Sequence, residues 1–315
     1  MTVDLSNQEK MGTRRMTVKV HMRPLPPASL IVCSRNRPKI LLETVASILD
    51  GEEVPAELII IDQSDQVNTE LAEMTTDRPC ELRYFSSQSV GLSRARNEGI
   101  EKARHGILAF TDDDVSATPS WFRSLIGALV AEGSQTLVTG QVLPGDHKPD
   151  GFVPSIKVDP EPAVFEGRIG EDVIYPHNMA MYASLMKWVG DFDERLGAGA
   201  RYAGAEDNDF CFRLLEAGFR IVYAPEAVVC HRAWRSYRAY LPLRWSYGRG
   251  QGAYYAKHLD LHDRYMLRRL YEDVQFRLKR SFRRMGSEPR HGLGDFVYAI
   301  GTLSGVLQWL LTERK

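Results

Sequence analysis

Residues 106–115 read GILAFTDDDV, an apolar run that breaks without transition into three carboxylates, Asp112, Asp113 and Asp114. A continuous apolar stretch of this length predicts a strand covered on both faces, and its polar end is where a parallel sheet presents ligands. Upstream, residues 92–103 have an amphipathic helical pattern, and 82–85 (LRYF) is strand-like. Further back, 29–33 (SLIVC) and 57–61 (ELIII) are apolar runs, and Pro38 between them can open a helix faced by Ile40, Leu41, Val45, Ile48 and Leu49. Strands alternating with helices predict a parallel sheet with right-handed crossovers. Downstream, 119–130 reads as a helix begun by Thr118 and 136–142 as a strand. Helices are expected over 178–188 and 207–217, the latter stopped by Gly218, then short strands over 219–223 and 227–230. Residues 143–171 carry too much Pro, Gly and Asp for regular structure, and so long a loop predicts a lid or an acceptor-facing segment. Beyond His231, long helices are expected over 240–258, 263–285 and 296–311. The fold class is α/β: a Rossmann-like, mostly parallel sheet flanked by helices, with a helical C-terminal appendage.

With 315 residues, 43% of them hydrophobic, the chain can bury a large core without covalent staples, which excludes collagen-like, coiled-coil and wholly disordered classes. Cys33, Cys80, Cys211 and Cys230 are far apart without CxxC or CxxH spacing, so a reducing, cytoplasmic setting is expected rather than a disulfide framework or zinc site. Residues 1–27 read as a loose leader without the apolar core of a secretory signal. No stretch reaches about 18 apolar residues without a charge, so no transmembrane helix is expected. Formal charge is −1, but residues 232–290 hold fifteen Lys and Arg against five acids, which points that segment at an anionic partner.

Three adjacent carboxylates repel one another unless a cation shares the site, and Mg²⁺ and Mn²⁺ prefer such oxygen ligands. The same acids can also form a solvated turn capping the helix that follows. In AEDNDFCFRLLEAGF, Glu206, Asp207 and Asp209 precede an apolar helix face, where acids are stabilised by the helix dipole or where one can act as a general base. His231, after AVVC, can complete a carboxylate metal site or simply be structural. Gly197, Gly199 and Gly204 allow backbone to approach a ligand or make a flexible loop. Asp62 can accept from a nucleoside N–H or open an Asx-turn. Trp188 and Phe192 can form an apolar platform for a sugar or belong to the core.

Taken in order, LIVCSRNRP, LIIIDQSD, VGLSRARNEGI, ILAFTDDDV, NMAMYASLMKWVGDFDERLG, AEDNDFCFRLLEAGFRIVYAPEAVV and the closing His231 resemble the family 2 glycosyltransferases of the GT-A fold. The likeness runs over residues 29–231. It implies an inverting transfer of sugar from a nucleotide-sugar, with UDP or dTDP as carrier, to an acceptor hydroxyl, and a catalytic domain over 28–235 with a basic helical region over 236–315. By the same resemblance Ser34, Arg35 and Asn36 line the nucleotide pocket with Asp112 and Asp113, Asp62 bonds the base, and Arg96 and Asn97 hold the nucleoside and pyrophosphate side. Asp112, Asp114 and His231 would bind Mg²⁺ or Mn²⁺, Asp207 would be the base, and Glu206 and Trp188 would lie on the acceptor side. Cys33-Ser34 departs from the Pro-Thr that many members carry at this point.

The basic helices and apolar 293–311 can lie on an anionic membrane surface, at the inner face of the membrane, or pack on the catalytic domain or a second subunit. No nucleic-acid reading motif accompanies the charge. A glycan or lipid-linked acceptor in cell-surface polysaccharide or glycolipid assembly follows from the resemblance alone. Two alternatives remain open: a nucleotidyltransferase, and a catalytically silent nucleotide-sugar-binding scaffold.

Overall fold

A computed structural model describes residues 24–145, 151–260 and 262–313. The leader expected over 1–27 lies almost wholly outside them.

The N-terminal half alternates as its apolar runs require: β1 (Ser29–Ser34), α1 (Pro38–Leu49), β2 (Glu57–Asp62), the short α2 (Thr69–Ala72), β3 (Glu81–Ser86), α3 (Leu92–Lys102) and β4 (Ile107–Asp112). Strands β3, β2, β1 and β4 pair in parallel, in that order. Every residue of β1 and β2 is buried, which explains runs with no polar alternation. Then come β5 (Val115–Ala117), α4 (Trp121–Glu132), β6 (Thr136–Pro144), β7 (Gly151–Phe152), β8 (Ala163–Glu166), β9 (Met179–Tyr182), α5 (Met186–Val189), α6 (Glu206–Glu216), β10 (Arg220–His231) and β11 (Arg235–Ser236). Three helices follow: α7 (Tyr240–Lys257), α8 (Tyr265–Arg284) and α9 (Pro289–Thr312).

Several expectations are corrected. Residues 178–188 are not one helix: β9 runs antiparallel between β4 and β6 at the centre of the sheet, and only the single turn α5 follows. Buried on both sides, β9 shows neither strand alternation nor a helical stripe, so its type was ambiguous from sequence. The two strands expected over 219–230 are one, β10, whose register shifts between Ala224 and Val228, where Pro225 is tolerated because a bulge leaves the ladder open. The 143–171 loop contributes β8 to β10 and β7 to β11. Helix α4 starts at Trp121, and the Thr118 hydroxyl donates to the Val228 carbonyl instead of capping it.

Two apolar layers sandwich the sheet, one under α1 and α4 around Leu41, Val45 and Leu125, the other under α3 and α6 around Ala95, Phe210 and Leu214. The C-terminal helices pack as a unit. A Cβ on Gly252 would overlap the Thr302 carbonyl oxygen, and one on Gly305 the Arg249 carbonyl, so α7 and α9 cross backbone to backbone.

Candidate active site

The carboxyl ends of β1 and β4 open onto one cavity of about 920 Å³. Ser34, Arg35 and Arg37 line it from β1, Asp112, Asp113 and Asp114 from β4, and Asp207 from the start of α6. His231 joins them through strand pairing. Antiparallel β5 and β10 place His231 opposite Val115, and the Arg232 N–H donates to the Asp114 carbonyl at 2.7 Å. A residue 117 positions away is thereby set beside the acidic loop.

One ligand atom each from Asp112, Asp114 and His231 lie within 4.8 Å of one another. His231 Nδ1 is 3.0 Å from the Pro154 carbonyl, so its hydrogen is donated there and Nε2 faces Asp114 Oδ1 at 3.2 Å. A backbone carbonyl orienting the far nitrogen is the arrangement that prepares an imidazole for a metal. Two hard oxygens and one imidazole nitrogen suit Mg²⁺ or Mn²⁺, so the residues fit such an ion. Burial opposes both charged forms, yet the hydrogen bond and charge between them keep the Asp114 carboxyl below the usual range and raise the His231 imidazolium above its own.

The acidic loop also has cations of its own, which offset the repulsion among its three carboxylates without a metal. Arg37 Nη1 reaches Asp113 at 2.9 Å and Asp114 at 2.7 Å, and Ser34 donates to Asp113 at 2.7 Å. Burial, only partly offset by Arg37, pushes Asp113 up to about 6. From α3, Arg96 is 2% exposed and bridges the two acidic motifs, 3.1 Å from Glu206 and 3.3 Å from Asp112.

Asp207 accepts from the Asn208 N–H at 2.9 Å. Burial first, then Glu206 and Asp172, push it up to about 8, a proton affinity suited to taking a hydroxyl proton. Behind it Asn208 donates to Gln251 at 2.6 Å, Gln251 to Asp172 at 3.2 Å, and Arg269 pairs with Asp172 at 3.0 Å. Helices α7 and α8 thus brace the start of α6. Ala205, just before it, has φ 63°, a left-handed conformation that costs a non-glycine residue energy and is concentrated at functional sites.

Other expected residues are placed elsewhere. Asp62 is 2% exposed and accepts from the Ser64 N–H, the Ser64 hydroxyl and, at 2.7 Å, the Tyr84 hydroxyl, while its neighbour Gln63 lines the cavity. Asn36 turns outward and donates to Asp65 at 3.0 Å. Both amide atoms of Asn97 are used to pin the Phe192 backbone. Phe192 is core, stacked on Phe210 at 4.5 Å, and Trp188 is 76% exposed outside the cavity wall, so the two form no common platform. Glu206, by contrast, lies on the cavity wall, where it accepts from Arg96 at 3.1 Å. Sequence reasoning passed over His177, which stacks on His231 with centroids 4.6 Å apart. It is buried, its Nε2 has no partner among the described residues, and burial pushes it down to about 4, a neutral ring on the cavity wall. Only its place after the long loop hinted at this. Arg235 and Tyr247 on the same wall were also missed, since Arg235 is placed by the β7–β11 pairing and Tyr247 by the docking of α7.

The profile of Glycosyl transferase family 2 matches residues 29–186, half of the chain. The chain belongs to this family. As a family 2 glycosyltransferase it is an enzyme, and its fold is GT-A: over 90% of this chain and 88% of the other, it superposes with a TM-score of 0.60 at 14% identity on the mannosyltransferase PcManGT from Pyrobaculum calidifontis, solved in complex with GDP-Man and Mn²⁺. Among its relatives, the glucosyl-dolichyl phosphate glucuronosyltransferase of Haloferax volcanii is 27% identical over 65% of this chain and 68% of its own length. The pre-mycofactocin glycosyltransferase of Mycobacterium tuberculosis is 29% identical over 55% of this chain, but only 36% of that protein is covered.

Proposed function

We propose that the enzyme moves a sugar from a nucleoside-diphosphate sugar, with UDP or dTDP as carrier, onto an acceptor hydroxyl with inversion at the anomeric carbon. The observation that carries this reading is that Asp207 and the Asp112, Asp114, His231 cluster face one cavity, with Arg96 pairing Asp112 to Glu206, the residue before Asp207. Asp112, Asp114 and His231 would hold Mg²⁺ or Mn²⁺, which when bound supplies positive charge to the leaving diphosphate. Ser34, Arg35 and Arg37 line the end of the cavity that takes the nucleotide. Asp207 takes the acceptor proton. A retaining double displacement needs a second, free carboxylate nucleophile, and Glu206 is committed to Arg96. On this reading 28–235 is the catalytic domain and 236–315 a basic helical region.

The acceptor is a glycan or lipid-linked molecule met at an anionic lipid surface. Helix α9 exposes Leu293, Phe296, Ile300, Leu303, Leu307 and Leu311, three or four residues apart and so on one face. Helix α8 exposes Leu267, Tyr271, Leu278, Phe282 and Met285, with Phe282 86% exposed. Exposed Arg264, Arg268, Lys279 and Arg283 on α8, and Arg290 on α9, add the charge that anionic lipid attracts. No helix among the described residues is long and apolar enough to cross a membrane.

The test is release of nucleoside diphosphate and free or transferred sugar from a panel of UDP-, dTDP- and GDP-sugars, with Mn²⁺ and with chelator. Turnover of a UDP- or dTDP-sugar that needs the metal and falls in Asp207→Asn is expected. Nucleotide binding without sugar release under every condition would establish the silent scaffold instead.

A further inference from the structure

The cavity wall continues past Asp207 onto the C-terminal helices, where Tyr240, Arg244, Tyr247, Arg277 and Tyr298 line it. At about 920 Å³ its volume is near the top of the range, roughly 300–1,000 Å³, typical of pockets for one small ligand. Arg244 and Arg277 both lie over the ring of Tyr298, their guanidinium carbons 4.4 and 4.2 Å from its centroid. Stacking on a buried ring holds two guanidiniums ready without further ordering.

The charges here do not balance. Asp295, 1% exposed, is faced by Arg280 at 2.6 Å, Arg244 at 3.0 Å, Arg284 at 3.6 Å and Arg277 at 3.9 Å. Asp273 takes Arg277 at 3.1 Å, and the exposed Glu288 lies 3.7 Å from Arg284. Four cations therefore meet three acids. A fifth, Arg235, also lines the cavity, donates to the Trp234 carbonyl at 3.1 Å and acts on the Asp114 carboxylate through space. Burial and then Arg277 lower the pKa of Arg244. The donor's diphosphate is accounted for at the other end, beside Arg37 and the Asp112, Asp114, His231 cluster.

We propose that the Arg244–Arg277 wall binds a phosphoryl group carried by the acceptor, so that the enzyme glycosylates a phosphorylated acceptor. Planar guanidinium forks match phosphate oxygens two at a time. The phosphoryl group takes no part in the chemistry. The acceptor oxygen bonds to the anomeric carbon, the bond from that carbon to the diphosphate breaks with its electrons going to the diphosphate, and the acceptor proton goes to Asp207. This inference rests on the glycosyl-transfer reading above.

The experiment uses the full chain loaded with UDP and Mn²⁺, so that the donor site is filled, and titrates pairs of probes by calorimetry. Citronellyl phosphate against citronellol represents a lipid phosphate, and glucose 1-phosphate against glucose a soluble one. At least one phosphate is expected to bind about tenfold or more tighter than its alcohol, the worth of a charge-assisted hydrogen bond, and the pair that shows it names the source. Arg244→Gln and Arg277→Gln should each lose that advantage. Asp295→Asn, which frees the guanidiniums from a competing carboxylate, should tighten phosphate binding, and that opposite sign cannot come from a variant that merely unfolds. Phosphates that bind no better than their alcohols, or an Asp295→Asn that weakens them, would overturn the proposal. Failure of UDP and Mn²⁺ to bind at the loading step would instead count against the glycosyl-transfer reading itself.

Discussion

Arg96, on α3, donates from Nη1 to Glu206, the first residue of α6, at 3.1 Å across 110 positions of sequence. Its other arm holds Asp112 at 3.3 Å, so one guanidinium fixes the spacing between the acidic loop and the helix that carries Asp207. Removing it leaves two carboxylates without their cation. Arg96→Ala is expected to cost about 3–5 kcal/mol, the penalty of breaking a buried ion pair from one side, measured by urea unfolding. Adding Glu206→Gln should recover part of the loss, and an additive double variant would contradict the coupling.

Asp207→Asn should lower the transfer rate by about 10²- to 10⁴-fold while UDP and Mn²⁺ still bind, because a general base contributes on that scale. Single-turnover kinetics with saturating donor separate the two effects.

The same carboxyl makes stability depend on pH. Folded, Asp207 is pushed up to about 8 by burial, Glu206 and Asp172. Unfolded, it titrates near 3.9. Between those values the native state keeps a proton that the unfolded chain releases, so this group's contribution declines as pH rises from about 4 to about 8. In Asp207→Asn the decline should be shallower, and the variant should gain on the wild type at the alkaline end. Urea midpoints across that interval check it, and parallel curves would refute the assignment.

Mn²⁺ affinity should rise with pH. The ion takes the place on His231 Nε2 that a proton occupies against Asp114, so binding displaces that proton. His231→Ala should weaken Mn²⁺ by a factor of about 10–100 or more, read by calorimetry in two buffers of different protonation enthalpy.

Phe282→Glu together with Leu307→Glu should abolish co-sedimentation with vesicles rich in phosphatidylglycerol. Wild-type chain should bind these vesicles and release them as salt rises, since basic residues flank the apolar stripes. Retention of vesicle binding by the double variant, or a salt-insensitive dimer lost on substitution, would assign the stripes to another partner.

Much of the fold was legible before any coordinates. The runs SLIVC, ELIII and GILAF announced buried parallel strands because burial on both faces removes alternation, and β1, β2 and β4 lie where those runs fall. The acidic triplet and AED motif were legible because carboxylates at strand and helix ends are chemically conspicuous. β9 was not, since four apolar residues fit a strand or a helix turn equally well. Nor were the neighbours of Asp62, Asn97 and Trp188, whose side chains could as well have faced a ligand as the protein.

By itself, then, the sequence determined the alternation of elements, the family and the carboxylates proposed to carry the chemistry, because these depend on local pattern and residue type. Tertiary structure alone decided which distant side chains meet. His231 reaches Asp114 because antiparallel β5–β10 register puts it there, and Arg96, on α3, joins Asp112 at the end of β4 to Glu206 at the start of α6. Arg244 of α7 lies over Tyr298 of α9 where glycines let those two helices touch along their backbones, and Arg277 reaches the same ring from α8. Such contacts follow from packing between elements separated in the chain, up to 117 positions for Asp114 and His231, and local pattern does not reveal them.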